Sequence, residues 1–210
     1  MSRPKIMTIY GTRPEAIKVA PIITALDRDE RFESIAVSTG QHREMLEQVN
    51  TMFGIEPKLD LHLMVPGQGL NQIVSRALVG LDEIIDAEKP DVIIAQGDTS
   101  TAMAAALAGF HRGVKIVHLE AGLRTGDIDS PFPEEANRKI ISQVAKLHLA
   151  PTEGSMENLR RENVRSKDIA VTGNTVIDAL LEAASWNTEF EDPALQEAAE
   201  SDKRLVVVTT

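Results

Sequence analysis

The chain has 210 residues, no cysteine and a formal net charge of −10. The lack of cysteine excludes disulfides, thiolate zinc sites and cysteine nucleophiles, and the acidic charge argues against binding to nucleic acid or to anionic membranes. Hydrophobic residues make up 42% of the sequence, which is enough for a core in one or two domains. Since no long apolar segment precedes the first strand, we expect a soluble, cytoplasmic protein.

Apolar runs alternate with amphipathic stretches along most of the chain, which predicts an α/β fold built on a parallel sheet. The predicted strands are 5–10, 32–39, 59–64, 91–95, 114–119, 146–150 and 168–172. The predicted helices are 14–27, one opening at Gln41 or His42, 70–88, 100–110, one opening after Pro133, 153–162, one opening within 173–178, and a weak one at 194–202.

The turn after the first predicted strand has the pattern of a helix start. Thr12 and Glu15 match a capping box, and the residues that we expect to face the sheet are Ile17, Pro21, Ile22, Ala25 and Leu26. Arg13 lies where backbone N–H groups and the helix dipole favour an anion, with Lys18 one turn further on. The pair could bind a phosphate, although a cation at a helix start is more often only solvated.

Three carboxylates follow strands or open a helix beside a glycine- and proline-rich loop. Glu120 ends an apolar run, where a carboxylate needs a partner or a function. Asp98 follows the preceding strand and could be only a helix cap. However, a short crossover helix makes the two strands neighbours, so two acids should meet at one edge of the sheet. Glu134 follows Pro133, where the helix dipole favours an acid without any function.

The last part of the chain has a different character. Residues 187–204 are charged and resemble a linker, whereas 205–210 are apolar and β-branched and predict a new strand. A parallel strand needs a crossover element to cover it. We therefore expect a first domain at 1–186, a linker at 187–204, and at 205–210 the first strand of a second domain of a longer protein.

Several motifs occur together in one order. They are residues 11–18 (GTRPEAIK), 41–46 (QHREML), 96–99 (QGDT), 118–138, which begins HLEAGLRTGD, and 172–178 (TGNTVID). From about residue 5 to residue 210 the chain resembles the non-hydrolysing UDP-N-acetylglucosamine 2-epimerases. The hydrolysing relatives usually depart from RPEAIK in the first motif, which is intact here.

This resemblance implies the first half of a glycosyltransferase-B type fold, in which two Rossmann-like domains with helices on both faces of each sheet hold a UDP-sugar between them. It implies interconversion of UDP-N-acetylglucosamine and UDP-N-acetylmannosamine for bacterial cell-envelope polysaccharide. No metal or other cofactor is implied, and the full-length protein is expected to be a homodimer. The family's catalytic histidine and most UDP contacts lie beyond the matching half, so we expect this chain to be inactive or nearly so by itself.

The resemblance also implies roles for particular residues. The residues matched to catalytic acids are Asp98, Glu120 and Glu134. The residues matched to substrate binding are Arg13, Lys18, Asp98, Glu120 and Arg138. Gln41 and His42 match a motif associated with allosteric activation by the substrate.

Two other classes of function remain open from the sequence. One is a non-catalytic module that binds nucleotide sugars and keeps the fold, against which the three intact acids count. The other is a glycosyltransferase of the same fold, which would need an acceptor and would release UDP from the UDP-sugar.

Overall fold

A computed structural model describes residues 3–40, 43–65, 67–186 and 189–208. The strands are β1 (Lys5–Tyr10), β2 (Glu33–Ser38), β3 (Leu59–Asp60), β4 (Val92–Gln96), β5 (Lys115–Leu119), β6 (Leu147–Ala150) and β7 (Ile169–Val171). The helices are α1 (Arg13–Arg28), α2 (Arg43–Phe53), α3 (Leu70–Glu88), α4 (Ser100–His111), α5 (Glu134–Val144), α6 (Glu153–Arg161), α7 (Val176–Ala184) and α8 (Pro193–Glu200). Among the helices so described, none is long and apolar enough to cross a membrane.

The seven strands form one parallel sheet in the order β3-β2-β1-β4-β5-β6-β7. β2 and β3 follow β1 on one side of it, and the chain then returns to place β4 on the other side of β1. The loops after β1 and β4 therefore leave the sheet in opposite directions. In doubly wound α/β folds, the crevice that opens at such a switch point is where ligands bind.

Alternate residues of each central strand enter two separate cores. Met7 and Ile9 pack with residues of α3 and α4, whereas Ile6 and Tyr10 pack with residues of α1 and α2. Because successive side chains of a strand point to opposite faces, this division places helices on both sides of the sheet. The predicted Rossmann-like α/β architecture is confirmed.

The inner face predicted for α1 is wrong. The apolar residues buried in α1 are Ala16, Val19, Ala20 and Ile23. Ile17, Ile22 and Leu26 are only partly buried around the same core. The buried residues follow the helical spacing i, i+3, i+4 and i+7, so the face that meets the sheet is the one next to the predicted face.

The chain divides into two compact units, Met1–Ala179 and Leu180–Thr210. The second unit contains α8, which confirms the weak helix predicted there. The strand predicted at 205–210 is not formed in residues 205–208, which have no strand neighbour among the described residues of that unit. Val206, Val207 and Val208 are 75–80% exposed. The boundaries proposed at residues 186 and 204 stay predictions.

Candidate active site at the carboxyl edge of the sheet

The two loops that carry Asp98 and Glu120 leave neighbouring strands at the same level. Gln96 at the end of β4 is in register with Leu119 at the end of β5, and the Gly97 N–H donates to the Leu119 carbonyl at 3.0 Å. The predicted meeting of two acid-bearing loops at one sheet edge is therefore found.

Glu120 is held by three donors from three different parts of the chain. Its carboxylate accepts from Lys18 Nζ at 2.6 Å, Gln96 Nε2 at 2.6 Å and Asn174 Nδ2 at 2.8 Å. The side chain is only 11% exposed, and its backbone has a left-handed φ of 65°. A non-glycine residue in this region is strained, and such strain is typical of functional positions. Lys18 was a predicted site residue. Gln96 and Asn174 belong to two of the motifs, but the sequence does not predict their contacts, because they stand 24 and 54 residues from Glu120.

Asp98 is fixed through both its side chain and its backbone by α5. Arg138 approaches Asp98 Oδ2 with Nη2 at 2.6 Å and Nε at 2.8 Å, while Asn137 Nδ2 donates to the Asp98 carbonyl at 2.8 Å. Burial opposes the charge on Arg138, but the carboxylates of Asp98 and Glu135 raise the pKa of this guanidinium above its usual value. The two-nitrogen contact orients the Asp98 carboxylate as well as neutralising it.

The two glutamates that open α5 have different surroundings. Glu135 is fully buried and accepts from the backbone N–H groups of Thr125 and Gly126 and from Arg138. Burial opposes its ionisation, yet these donors lower the pKa of Glu135 below its ordinary value. Glu134 is half-buried, and its carboxylate has neither a hydrogen bond nor an ion pair with the described part of the chain. Glu135 therefore shapes the loop, and Glu134 is left available to a ligand.

The predicted substrate-binding residues do not all meet. Lys18 forms an ion pair with Glu120, and Arg138 forms a separate one with Asp98. Arg13 is exposed and forms no ion pair within the described ranges. Gln41 and His42 lie outside the described residues. Within those residues, no group of three or more His, Asp or Glu side chains could hold a metal ion.

Arg124 holds the loop between β5 and α5 in place through bonds to α5 and to the residue after α6. Its guanidinium binds Glu162 at 2.7 and 2.8 Å and donates to Ser142 Oγ at 2.8 Å. This contact lowers the pKa of the Glu162 carboxyl. No local sequence pattern predicts the pair, because Glu162, the residue directly after α6, stands 38 residues from Arg124.

A buried histidine supports the Asp98 loop from the neighbouring strand. The His118 Nε2–H donates to the Gly97 carbonyl at 2.7 Å, and its ring is fully buried beside His148 on the paired strand β6. Burial lowers the pKa of His118 to about 4, and the positive charges of Arg124 and Arg138 act in the same direction. The ring is therefore neutral at pH 7 and serves as a hydrogen-bond donor.

This histidine should make the stability of the protein depend on pH. Because the unfolded ring has a pKa of about 6.5, its contribution is fully present above that pH and is lost as pH falls towards about 4. The unfolding free energy of the native protein should fall between pH 7 and pH 5, and in His118→Gln this fall should be smaller by roughly 2 kcal/mol. Urea unfolding of both proteins at both pH values measures this change in unfolding free energy. The exposed His111→Gln is the matched control, and an unchanged loss in His118→Gln would contradict the assignment.

The fold and the carboxylate-lined edge define an α/β domain of the Rossmann-like class with a candidate site at the ends of its central strands. The family model described as UDP-N-acetylglucosamine 2-epimerase matches residues 24–210. The chain belongs to the UDP-N-acetylglucosamine 2-epimerase family, and the prediction made from the motifs is confirmed.

Known proteins agree with this assignment. A UDP-N-acetylglucosamine 2-epimerase of Salmonella typhimurium is 54% identical over 177 residues, covering 84% of this chain and 47% of the relative. A crystal structure of UDP-GlcNAc 2-epimerase from Neisseria meningitidis, bound to UDP-GlcNAc, is 46% identical with a TM-score of 0.84, covering 86% of this chain and 48% of that one. The chain thus spans about half the length of the relatives that it matches.

A more distant structure shares the fold alone. It is a lipopolysaccharide outer core galactosyltransferase, 15% identical with a TM-score of 0.57, covering 80% of this chain and 44% of that one. The predicted glycosyltransferase-B type of Rossmann-like domain is confirmed.

Proposed function

We propose that this chain supplies the acid and base residues for the reversible epimerisation of UDP-N-acetylglucosamine at C2, giving UDP-N-acetylmannosamine. The observation that carries the proposal is the pair Asp98 and Glu120, which stand at the ends of adjoining strands with one cation on each. The ligand named in the Neisseria structure supports the choice of substrate.

The reaction needs carboxylates because the C2 proton of the sugar is not acidic. When the anomeric C1–O bond breaks and UDP leaves, positive charge develops at C1 and acidifies the C2 proton, and nearby carboxylates stabilise that charge. A base then takes the proton, and the electron pair of the C2–H bond forms the double bond of 2-acetamidoglucal. Return of a proton to the opposite face of C2, with UDP re-adding at C1, completes the inversion.

The contacts support a division of labour among the residues. Glu120, Asp98 and Glu134 form the acid and base set, and proton transfer on two sides of the ring needs at least two of them. Lys18 and Arg138 orient Glu120 and Asp98 through the ion pairs described above. The exposed guanidinium of Arg13 is free to hold the diphosphate as it leaves.

We propose further that these residues are one side of a complete site. A UDP-sugar would then be held against the carboxyl edge of this sheet by a second domain, which supplies the histidine and most of the UDP contacts of the family. The proposed homodimer, the cytoplasmic location and the allosteric role of Gln41 and His42 belong to that longer protein. Without the second domain the substrate is poorly positioned, so turnover by this chain should be slow or absent.

Grafting tests the function without depending on the activity of the isolated chain. The matching 177-residue segment of the Salmonella relative is replaced by that of this chain, and the chimera is incubated with UDP-N-acetylglucosamine in deuterated buffer. Proton NMR should show loss of the C2–H signal and formation of the manno epimer. This chain by itself should be at least about 10³-fold slower.

The unaltered Salmonella protein is the reference for the rate. A folded chimera that binds UDP-N-acetylglucosamine but exchanges no C2 proton would contradict the proposed function. Exchange by this chain at the rate of the chimera would contradict the split site.

A further inference from the structure

The turn between β1 and α1 already contains a buried carboxylate that no step of the proposed reaction uses. Glu15 is 3% exposed. One of its oxygens accepts from the backbone N–H groups of Gly11 at 2.7 Å and Thr12 at 2.8 Å. The other accepts from the Thr99 hydroxyl at 2.6 Å.

Glu15 occupies most of the anion site that a helix start of this kind usually offers. In dinucleotide-binding Rossmann folds, the N–H groups of the first turn receive a ligand phosphate. Here Glu15 takes those of Gly11 and Thr12, the side chain of Thr12 caps the Glu15 N–H, and Pro14 has none to give. The backbone part of the predicted phosphate site is thus reduced to the N–H of Arg13, beside the exposed side chain of the same residue.

The bond to Thr99 crosses the switch point of the sheet. Thr99 lies 84 residues from Glu15, directly after Asp98 and at the start of α4, where its side chain also caps Ala102 N–H at 3.0 Å. The turn after β1 and the turn after β4 are thus linked by one side chain. These are the two loops that leave the sheet at its switch point, where doubly wound folds bind their ligands.

We infer that Glu15 is a positioning residue, which clamps the turn carrying Asp98 to the turn carrying Arg13 and so fixes the Asp98 carboxylate against Arg138. A capping box alone would need only the contact between Glu15 and Thr12. The further bond to Thr99 and the complete burial of Glu15 are not explained by capping. The catalytic meaning of the clamp rests on the role proposed for Asp98, but the geometry of the clamp does not.

The Nε–H group of Arg138 reports on the clamp without any need for turnover. It donates to Asp98 at 2.8 Å. Its hydrogen-exchange rate therefore rises when Asp98 moves away and this hydrogen bond breaks. Thr99→Val removes the donor to Glu15 and should speed this exchange about fivefold, as expected for the loss of one hydrogen bond. Thr99→Ser keeps the hydroxyl and should restore the slow rate. Glu15→Asp, whose carboxylate is one methylene shorter, should act like Thr99→Val.

A matched control separates the clamp from the loss of a helix cap. Thr152 caps α6 through Ser155 N–H, just as Thr99 caps α4. Thr152→Val should leave the exchange of the Arg138 Nε–H unchanged in the full 210-residue chain, measured by ¹⁵N NMR. Equal rates in Thr99→Val and the unaltered protein, or an equal rise in Thr152→Val, would overturn the inference.

Kinetic measurements on the chimera then test whether the position of Asp98 affects the reaction. Thr99→Val should lower kcat about fivefold while KM is little changed. If the Arg138 exchange rate rises but kcat does not fall, the clamp stands and the catalytic role of Asp98 is refuted. A chimera that is inactive before any substitution refutes the proposed function and leaves the NMR result as the test of the clamp.

Discussion

Glu120→Gln in the grafted enzyme is expected to lower the rate of epimerisation by about 10²–10⁴-fold, the range for loss of a general acid or base. Glutamine has nearly the shape of glutamate, but its amide can neither take nor return a proton. It also places an amide in a site built by three donors, Lys18, Gln96 and Asn174, and leaves the Lys18 ammonium without its counter-charge.

The comparison is made by following C2–H exchange and UDP release in the same sample. The control is Glu153→Gln, an exposed acid in the first turn of α6, which also begins beyond the carboxyl end of a strand. The control should keep the full rate. If the Glu120→Gln enzyme retains more than about a tenth of the activity, Glu120 is not part of the catalytic set. That result would favour the alternative of a non-catalytic module that binds nucleotide sugars.

Gly122→Ala is expected to destabilise the protein by about 3–5 kcal/mol, in the range that single substitutions reach only through a specific structural conflict. Gly122 has a φ of 89°, and an added Cβ would lie 2.2 Å from the Ser155 carbonyl oxygen. Both the backbone of α6 and that of the loop would have to move. Chemical unfolding of the two proteins measures the difference.

Gly126→Ala is the matched control, because Gly126 has a similar φ of 85° but nothing within 4 Å of the added carbon. It isolates the strain of a left-handed alanine, which is about 1 kcal/mol. If the two variants lose the same stability, the close approach of Gly122 to α6 is not what makes glycine necessary there.

Local patterns predicted the elements of this fold well. The bounds predicted for β1 and α3 agree with the structure, since a continuous apolar run and an amphipathic repeat each leave a clear local signal. The face predicted for α1 is wrong because two neighbouring apolar faces of this helix both have helical spacing. Periodicity alone does not show which of the two faces meets the sheet, and the buried one contains Val19 and Ile23 as well as two alanines.

The candidate site was predictable only in outline. Asp98 and Glu120 were placed at one edge because connection rules make their strands neighbours. Their partners were not predictable by such rules, because Asn174 meets Glu120 and Thr99 meets Glu15 only through the tertiary fold. The sequence predicts Glu15 only as a cap, because its local contact with Thr12 explains its place in the sequence completely.

The strand order has a consequence for how the protein is made. β1 is synthesised first, but its second neighbour, β4, begins at Val92, and the two strands pair from Ile6 and Val92 onwards. At about 5–20 residues per second, the ribosome delivers that partner roughly 4–20 s later. Even after β2 has paired with β1, the other edge of β1 stays open until β4 is made. The Glu15–Thr99 link cannot form until α4 has begun to emerge, so chain elongation sets the earliest time at which the site is assembled.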